Sequence, residues 1–233
     1  MVVPFAAVIF DLDGTLVDSA PDIRAVLNAV LEEDGRPQLD LGAVIAMIGD
    51  GAGKLLERAL NATGGVPAEG IASLLGRFRE RYDAEPTVLT RPYPQVPEVL
   101  AVMQAAGVRL GVCTNKPEPA TIGTLNALGL ADYFGAVVAS GTLAGGITKP
   151  DARMLTATLD ALGVARGEAA VMVGDAINDV KVARNAGLPV VLRAGGYTVT
   201  PAEQLGADAV FADFADLPAT LRALVGQLGS QEA

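Results

Sequence analysis

A chain of 233 residues is long enough for one large domain or two small ones, and 51% hydrophobic residues allow a sizeable core. Its net charge of −10 and lack of any Lys/Arg cluster argue against nucleic acid or an anionic membrane surface as a partner. There is no histidine, which excludes Ser-His-Asp and Cys-His catalysis and His-based zinc sites, while a lone cysteine excludes an internal disulfide and fits a reducing, cytoplasmic setting.

The start, "MVVPFAAVIFD", has no basic residue ahead of its apolar run and passes straight into acidic residues, so it is read as a first strand, Phe5–Phe10, and not as a signal peptide. From about Pro21 to Tyr82 the pattern is helical, with no strand. One helix opens at Ser19 and Pro21 and runs to Gly35; others are predicted over Leu41–Ile48, Lys54–Ala62 and Ala68–Tyr82. The proline-rich "AEPTVLTRPYPQVP" (84–97) reads as a return linker. Strands at Val108–Cys113, Ala169–Val173, Pro189–Leu192 and Asp208–Phe211 then join helices at Pro97–Ala106, Glu118–Leu128, Asp151–Leu162 and Ile177–Ala186. Gly107, Gly129, Gly163 and Gly187 stand where a helix-ending glycine belongs, and the tail "GQLGSQEA" reads as frayed. Charges such as Arg109 and Asp132 interrupt every apolar stretch before it is long enough to span a bilayer. The alternation predicts an α/β fold with a doubly wound parallel sheet, built from residues 1–17 and 90–233, with a helical unit, 18–89, inserted after the first strand.

Side chains two apart on a strand point the same way, so Asp11 and Asp13 of "DLDGT" should meet at the carboxyl end of the first strand, where open α/β sheets bind ligands. Adjacent carboxylates need a cation between them or a proton on one, and Mg²⁺ suits oxygen ligands; an Asp-Gly turn with Ser19 as helix cap would use the same residues without chemistry. In "CTNKP", Thr114 and Asn115 offer a hydroxyl and an amide able to hold phosphoryl oxygens, or make an ordinary polar turn, and Cys113 reads as an inert buried thiol. Lys149 of "GGITKP" precedes a helix start, an awkward place for a cation unless it neutralises an anion; a solvated lysine is the commoner fate. Asp175 and Asp179 of "VMVGDAINDV" bring a second acid pair to a strand end. Together these strand ends could bind Mg²⁺ and a phosphoryl group and offer a carboxylate nucleophile. "GDGAGKLLERAL" fails as a P-loop, because Ile48 and Leu55 occupy the places that need glycine and Ser/Thr.

The motifs "DLDGT" (11–15), "TN" (114–115), "KP" (149–150) and "GDAIND" (174–179), in this order over most of the chain, resemble the haloacid dehalogenase (HAD) superfamily of aspartate-nucleophile phosphatases. "DLDGTLVDSAPDI", "GDGAGKLLERAL", "CTNKP" and "ADYFGAVV" look like its phosphoglycolate phosphatase subgroup. The resemblance implies that Asp11 attacks phosphorus and that Asp13 protonates the leaving group and then deprotonates the hydrolytic water. It implies that Gly14, Thr15, Thr114 and Asn115 hold the phosphoryl group while Lys149 neutralises it. Mg²⁺ would lie between Asp11, the Asp13 backbone carbonyl and Asp175, with Asp179 in support. The inserted unit would be a helical cap in which Lys54 either meets a substrate carboxylate or stays solvated. The implied reaction is Mg²⁺-dependent hydrolysis of a small phosphorylated metabolite, 2-phosphoglycolate first, by a monomer or homodimer. Alternatives are a phosphosugar mutase or broad-specificity sugar-phosphate phosphatase of the same superfamily and, from another class, a phosphoaspartate signalling protein. The chain departs from the subgroup at Ala176, where serine is common, and at "KPDARML", which replaces "KPHP".

Overall fold

The computed structural model describes residues 4–85, 87–165 and 167–229. The chain opens with β1 (Ala7–Phe10) and a short β2 (Val17–Asp18), then runs through α1 (Ala20–Glu33), α2 (Leu41–Ile45), α3 (Ala52–Ala62) and α4 (Ala72–Ala84). It returns through β3 (Arg91–Pro92), which pairs antiparallel with β2. After that come α5 (Val96–Ala105), β4 (Arg109–Pro117), α6 (Glu118–Ala127), β5 (Ala136–Ser140), α7 (Ala152–Ala161), β6 (Ala170–Gly174), α8 (Ile177–Ala186), β7 (Val190–Arg193), β8 (Ala209–Phe211) and α9 (Leu217–Gly229).

The main sheet is parallel, in the order β5-β4-β1-β6-β7-β8. Strand order reverses around β1, which places the ligand-binding crevice of an α/β sheet beyond its carboxyl end. β1 is apolar on both faces because helices cover both. Val8 and Phe10 pack with Leu100 and Met103 of α5 and Leu217 and Leu221 of α9, while Ala7 and Ile9 pack with Met154 and Leu155 of α7 and Val182 and Ala183 of α8. A third core lies among α1–α4, with Leu27, Leu31, Val44, Leu56, Leu60, Leu74 and Phe78 closed against one another. No helix among the described residues is long and apolar enough to cross a membrane.

The expected strands and helices lie where the pattern puts them, within a few residues, with three additions. β5 was not anticipated: "AVVAS" has only a pair of β-branched residues, and its place comes from pairing with β4 at the sheet edge. α9 was not anticipated either, and its helical backbone reaches Gly229, into the stretch expected to fray; residues 230–233 lie outside the described residues. The β2–β3 pair is a third addition, in which the outgoing and returning segments bind each other through residues with no strand pattern.

Candidate active site

Asp11 follows β1, its main chain anchored by donation to the Val173 carbonyl at 2.9 Å. Its carboxylate Oδ1 accepts the Leu12 N–H at 2.7 Å and lies 3.0 Å from Lys149 Nζ, and the Thr114 hydroxyl also bonds to it. The same lysine nitrogen reaches Asp179 Oδ1 at 2.7 Å. Asp179 turns back over the start of α8, where Oδ2 accepts the N–H groups of Asp175 and Ala176 at 3.1 and 3.0 Å. Asp175, directly after β6, receives Thr15 Oγ1 on Oδ1 at 2.9 Å and the Tyr197 N–H on Oδ2 at 2.6 Å. Two glycines make this density possible: a Cβ on Gly14 would lie 2.4 Å from Asp175 Oδ2, and one on Gly196 would lie 2.2 Å from Asp175 Cβ.

Carboxylate oxygens of Asp11, Asp175 and Asp179 all lie within 4.8 Å of one another. Burial pushes Asp11 up to about 6, with Asp179 adding and Lys149 opposing. Asp175 is raised well above its ordinary value by burial and by the charges of Asp179 and Asp11. Burial alone would lower Lys149, but Asp11 and Asp179 outweigh it and hold the ammonium above its ordinary range. One lysine thus faces three crowded acids, an oxygen-only set carrying excess negative charge. That chemistry fits a hard divalent cation such as Mg²⁺.

Asp13 is the other half of the predicted pair. The strand ends at Phe10, so strand alternation does not govern it. Its carboxylate lies outside the three-acid cluster: Oδ1 accepts Ser19 Oγ at 2.6 Å and Lys116 Nζ at 3.0 Å. Both aspartates nevertheless line one cavity of about 60 Å³ between the strand ends and α1, α3 and α4. Thr114, Asn115 and Lys116, consecutive in β4, also line it; pairing of β4 with β5 shifts register between Cys113 and Pro117, which frees these residues from strict alternation. Asn115 is occupied in bracing. It accepts the Lys149 N–H at 2.7 Å and donates to the Lys149 and Gly49 carbonyls at 3.1 and 3.0 Å. Cys113 is fully buried and pushed up to about 12, chiefly by that burial, as expected of an inert thiol.

Of the two roles open to Lys54, the structure shows the solvated one. Its ammonium points to solvent, with 61% of the side chain exposed, and pairs with Glu57 at 2.7 Å. The next residue, Leu55, faces the cavity together with Gly51 and Ala52. The helix turn that presents Leu55 inward carries Lys54 outward. The cations that do line the cavity are Lys116 and Arg79. Lys116 is buried, donates to the Tyr82 hydroxyl at 2.7 Å and stands 4.5 Å over the Tyr82 ring, and Asp13 and Tyr82 raise its affinity for its proton against the effect of burial. The sequence signal for Lys116 was present in "CTNKP": like Lys149, it precedes a proline after an apolar strand.

Residues 5–187 match the haloacid dehalogenase-like hydrolase family. The phosphoglycolate phosphatase of Rhodospirillum rubrum is 46% identical over 216 residues, covering 91% of this chain and 88% of that protein. Its counterpart in Caulobacter vibrioides is 44% identical, covering 91% and 89%. A crystal structure of a predicted phosphoglycolate phosphatase from Haemophilus somnus superposes with a TM-score of 0.85 at 31% identity, covering 92% of this chain and 96% of that one. A family match over most of the sheet, relatives above 40% identity and a shared fold agree, and the chain belongs to the haloacid dehalogenase-like hydrolases.

Proposed function

We propose that the protein is a Mg²⁺-dependent phosphatase that hydrolyses 2-phosphoglycolate to glycolate and phosphate through an aspartyl-phosphate. Its being a phosphoric monoester hydrolase follows from the family and the curated relatives. The observation that carries the finer reading is the cluster of Asp11 with Lys149, Asp175 and Asp179, in which Asp11 also lines a small cavity shared with Asp13, Lys116 and Arg79.

The Asp11 carboxylate attacks phosphorus and the bond to the substrate oxygen breaks. Asp13, which lines the same cavity as Asp11, delivers a proton to the departing alkoxide. It then takes a proton from the water that attacks the phosphoryl group, so Asp11 is released as a carboxylate and phosphate leaves. Lys149 reduces the repulsion between the anionic nucleophile and the phosphate. Asn115 holds the Lys149 main chain in place. Asp11, Asp175 and the Asp13 carbonyl would hold a divalent cation such as Mg²⁺, with Asp179 in support, and the cation would supply Lewis-acid charge neutralisation.

Residues 18–89 act as the cap. Gly49, at its edge, meets Asn115 and Asn178, and Tyr82 meets Lys116, so the unit reaches the strand ends directly. The cavity is small, about 60 Å³, which favours a compact phosphomonoester. Ile23, Ile48, Leu55 and Phe78 form the apolar part of its lining, and Arg79 supplies charge for a carboxylate. Release of inorganic phosphate from 2-phosphoglycolate tests the proposal. Activity is expected with Mg²⁺, to vanish with EDTA, and to fall by about 1,000-fold or more in Asp11→Asn. Full activity in that variant would remove Asp11 as nucleophile.

A further inference from the structure

The loop after β7 joins two parts of the molecule that the catalytic steps leave unconnected. At one end it holds Asp175, through the Tyr197 N–H on Oδ2 at 2.6 Å and the close approach of Gly196. At the other end it holds both segments by which the chain leaves and re-enters the sheet domain. The Tyr197 hydroxyl, on a buried side chain, accepts the N–H of Ala20, the first residue of α1, at 2.8 Å and donates to Asp18 Oδ1 of β2 at 2.5 Å. Arg193, at the loop's beginning, lies 3.5 Å over the ring of Tyr93, just past β3, and donates to the Gly14 carbonyl at 3.0 Å. The β2–β3 pair is therefore held at β2 and at the residue after β3 by a segment whose other partner is a candidate cation ligand.

We propose that Tyr197 is a positioning residue that couples divalent-cation binding at Asp175 to the seating of α1–α4 over the cavity. When Asp175 ligates a cation, its carboxylate loses freedom and fixes the Tyr197 main chain. The phenol on that residue then fixes Asp18 and Ala20, where α1 begins. Coupling of this kind is reciprocal: seated helices preform Asp175 for the cation, and the cation favours seated helices. The effect would make the closed cavity and the loaded cation site appear together, before substrate arrives. This inference rests on the cation reading given above.

Hydrogen exchange without substrate tests it. The amides to follow are those of Ile23 and Tyr93, which donate to the Ser19 and Leu16 carbonyls at 3.1 and 3.0 Å; neither N–H bonds to Tyr197, although the Tyr93 phenol does. In the wild type, Mg²⁺ is expected to slow exchange of both by about 5–150-fold, the usual span of a coupling between sites. In Tyr197→Phe, which keeps the ring and the N–H to Asp175, calorimetry should still detect Mg²⁺ binding while the Mg²⁺-dependent slowing disappears. Asp18→Ala, at a half-buried position, removes the same phenol bond and should give the same loss. A purely structural Tyr197 would change exchange equally with and without Mg²⁺, and that result overturns the proposal. Wild-type protein that binds Mg²⁺ with unresponsive amides overturns it while leaving the cation reading intact; no Mg²⁺ binding at all overturns both.

Discussion

Asp11, the proposed nucleophile, is held at a cost to its own charge. Its carboxyl is pushed from an ordinary 3.8 up to about 6, because burial and Asp179 disfavour the charge more than Lys149 relieves it. A group that holds its proton more tightly when folded stabilises the fold below its unfolded value and loses that contribution as pH rises through its folded value. Metal-free protein should therefore lose this contribution between pH 4 and pH 6. Asp11→Asn mimics the neutral carboxyl, so with EDTA present the variant should be more stable than wild type at pH 7, by up to about 3 kcal/mol. The advantage should disappear at pH 4, where the wild-type carboxyl is protonated in both states. Thermal unfolding at the two pH values measures it. A variant less stable than wild type at pH 7 would mean that the Lys149 pair outweighs the crowding.

The elements that deliver these residues are loops packed to the limit around Asp175. Gly196 is the sharper test, because its backbone has no left-handed conformation and the obstacle is steric alone. Gly196→Ala would drive a methyl into Asp175 Cβ, costing about 1–3 kcal/mol of stability. It should also weaken Mg²⁺ binding by about tenfold or more as the carboxylate moves. Gly195→Ala, next in line, meets nothing within 4 Å but holds a φ of +72. It should lose stability through the backbone while sparing Mg²⁺ affinity. Equal Mg²⁺ titrations for the two variants would remove the steric account.

At the scale of the whole molecule, the cavity is made where residues of α1, α3 and α4 lie against the strand ends, and the proposed function gives it the choice of substrate. Arg79 of α4 lines that cavity and Lys54 of α3 does not. Arg79→Ala should raise KM for 2-phosphoglycolate by about tenfold or more, the loss of one charge-assisted bond, and leave p-nitrophenyl phosphate nearly unchanged. Lys54→Ala should alter neither. An unselective effect of Arg79→Ala on both substrates would assign it to cap stability instead of carboxylate recognition.

Much of this was legible along the chain because it is local. Apolar runs buried on both faces read as parallel strands, and chain order alone put Asp11, Thr114 and Asp175 at strand ends and Lys149 and Asp179 at helix starts, where backbone geometry carries them to one place. Periodicity also read α1–α4 as helices. What the sequence did not carry were facts that depend on the distance between segments far apart in the chain. β5 and the β2–β3 pair have weak strand patterns and are made by their partners. The outward turn of Lys54 and the inward turn of Lys116 depend on helix rotation and on a register shift against β5. The joining of Asp175 to Asp18 and Ala20 through Tyr197 depends on a loop more than 170 residues away closing on the first turn of α1. Sequence determined the candidate reactive groups and where along the fold they fall; packing decided which cations face the cavity and which residues tie α1 to the strand ends.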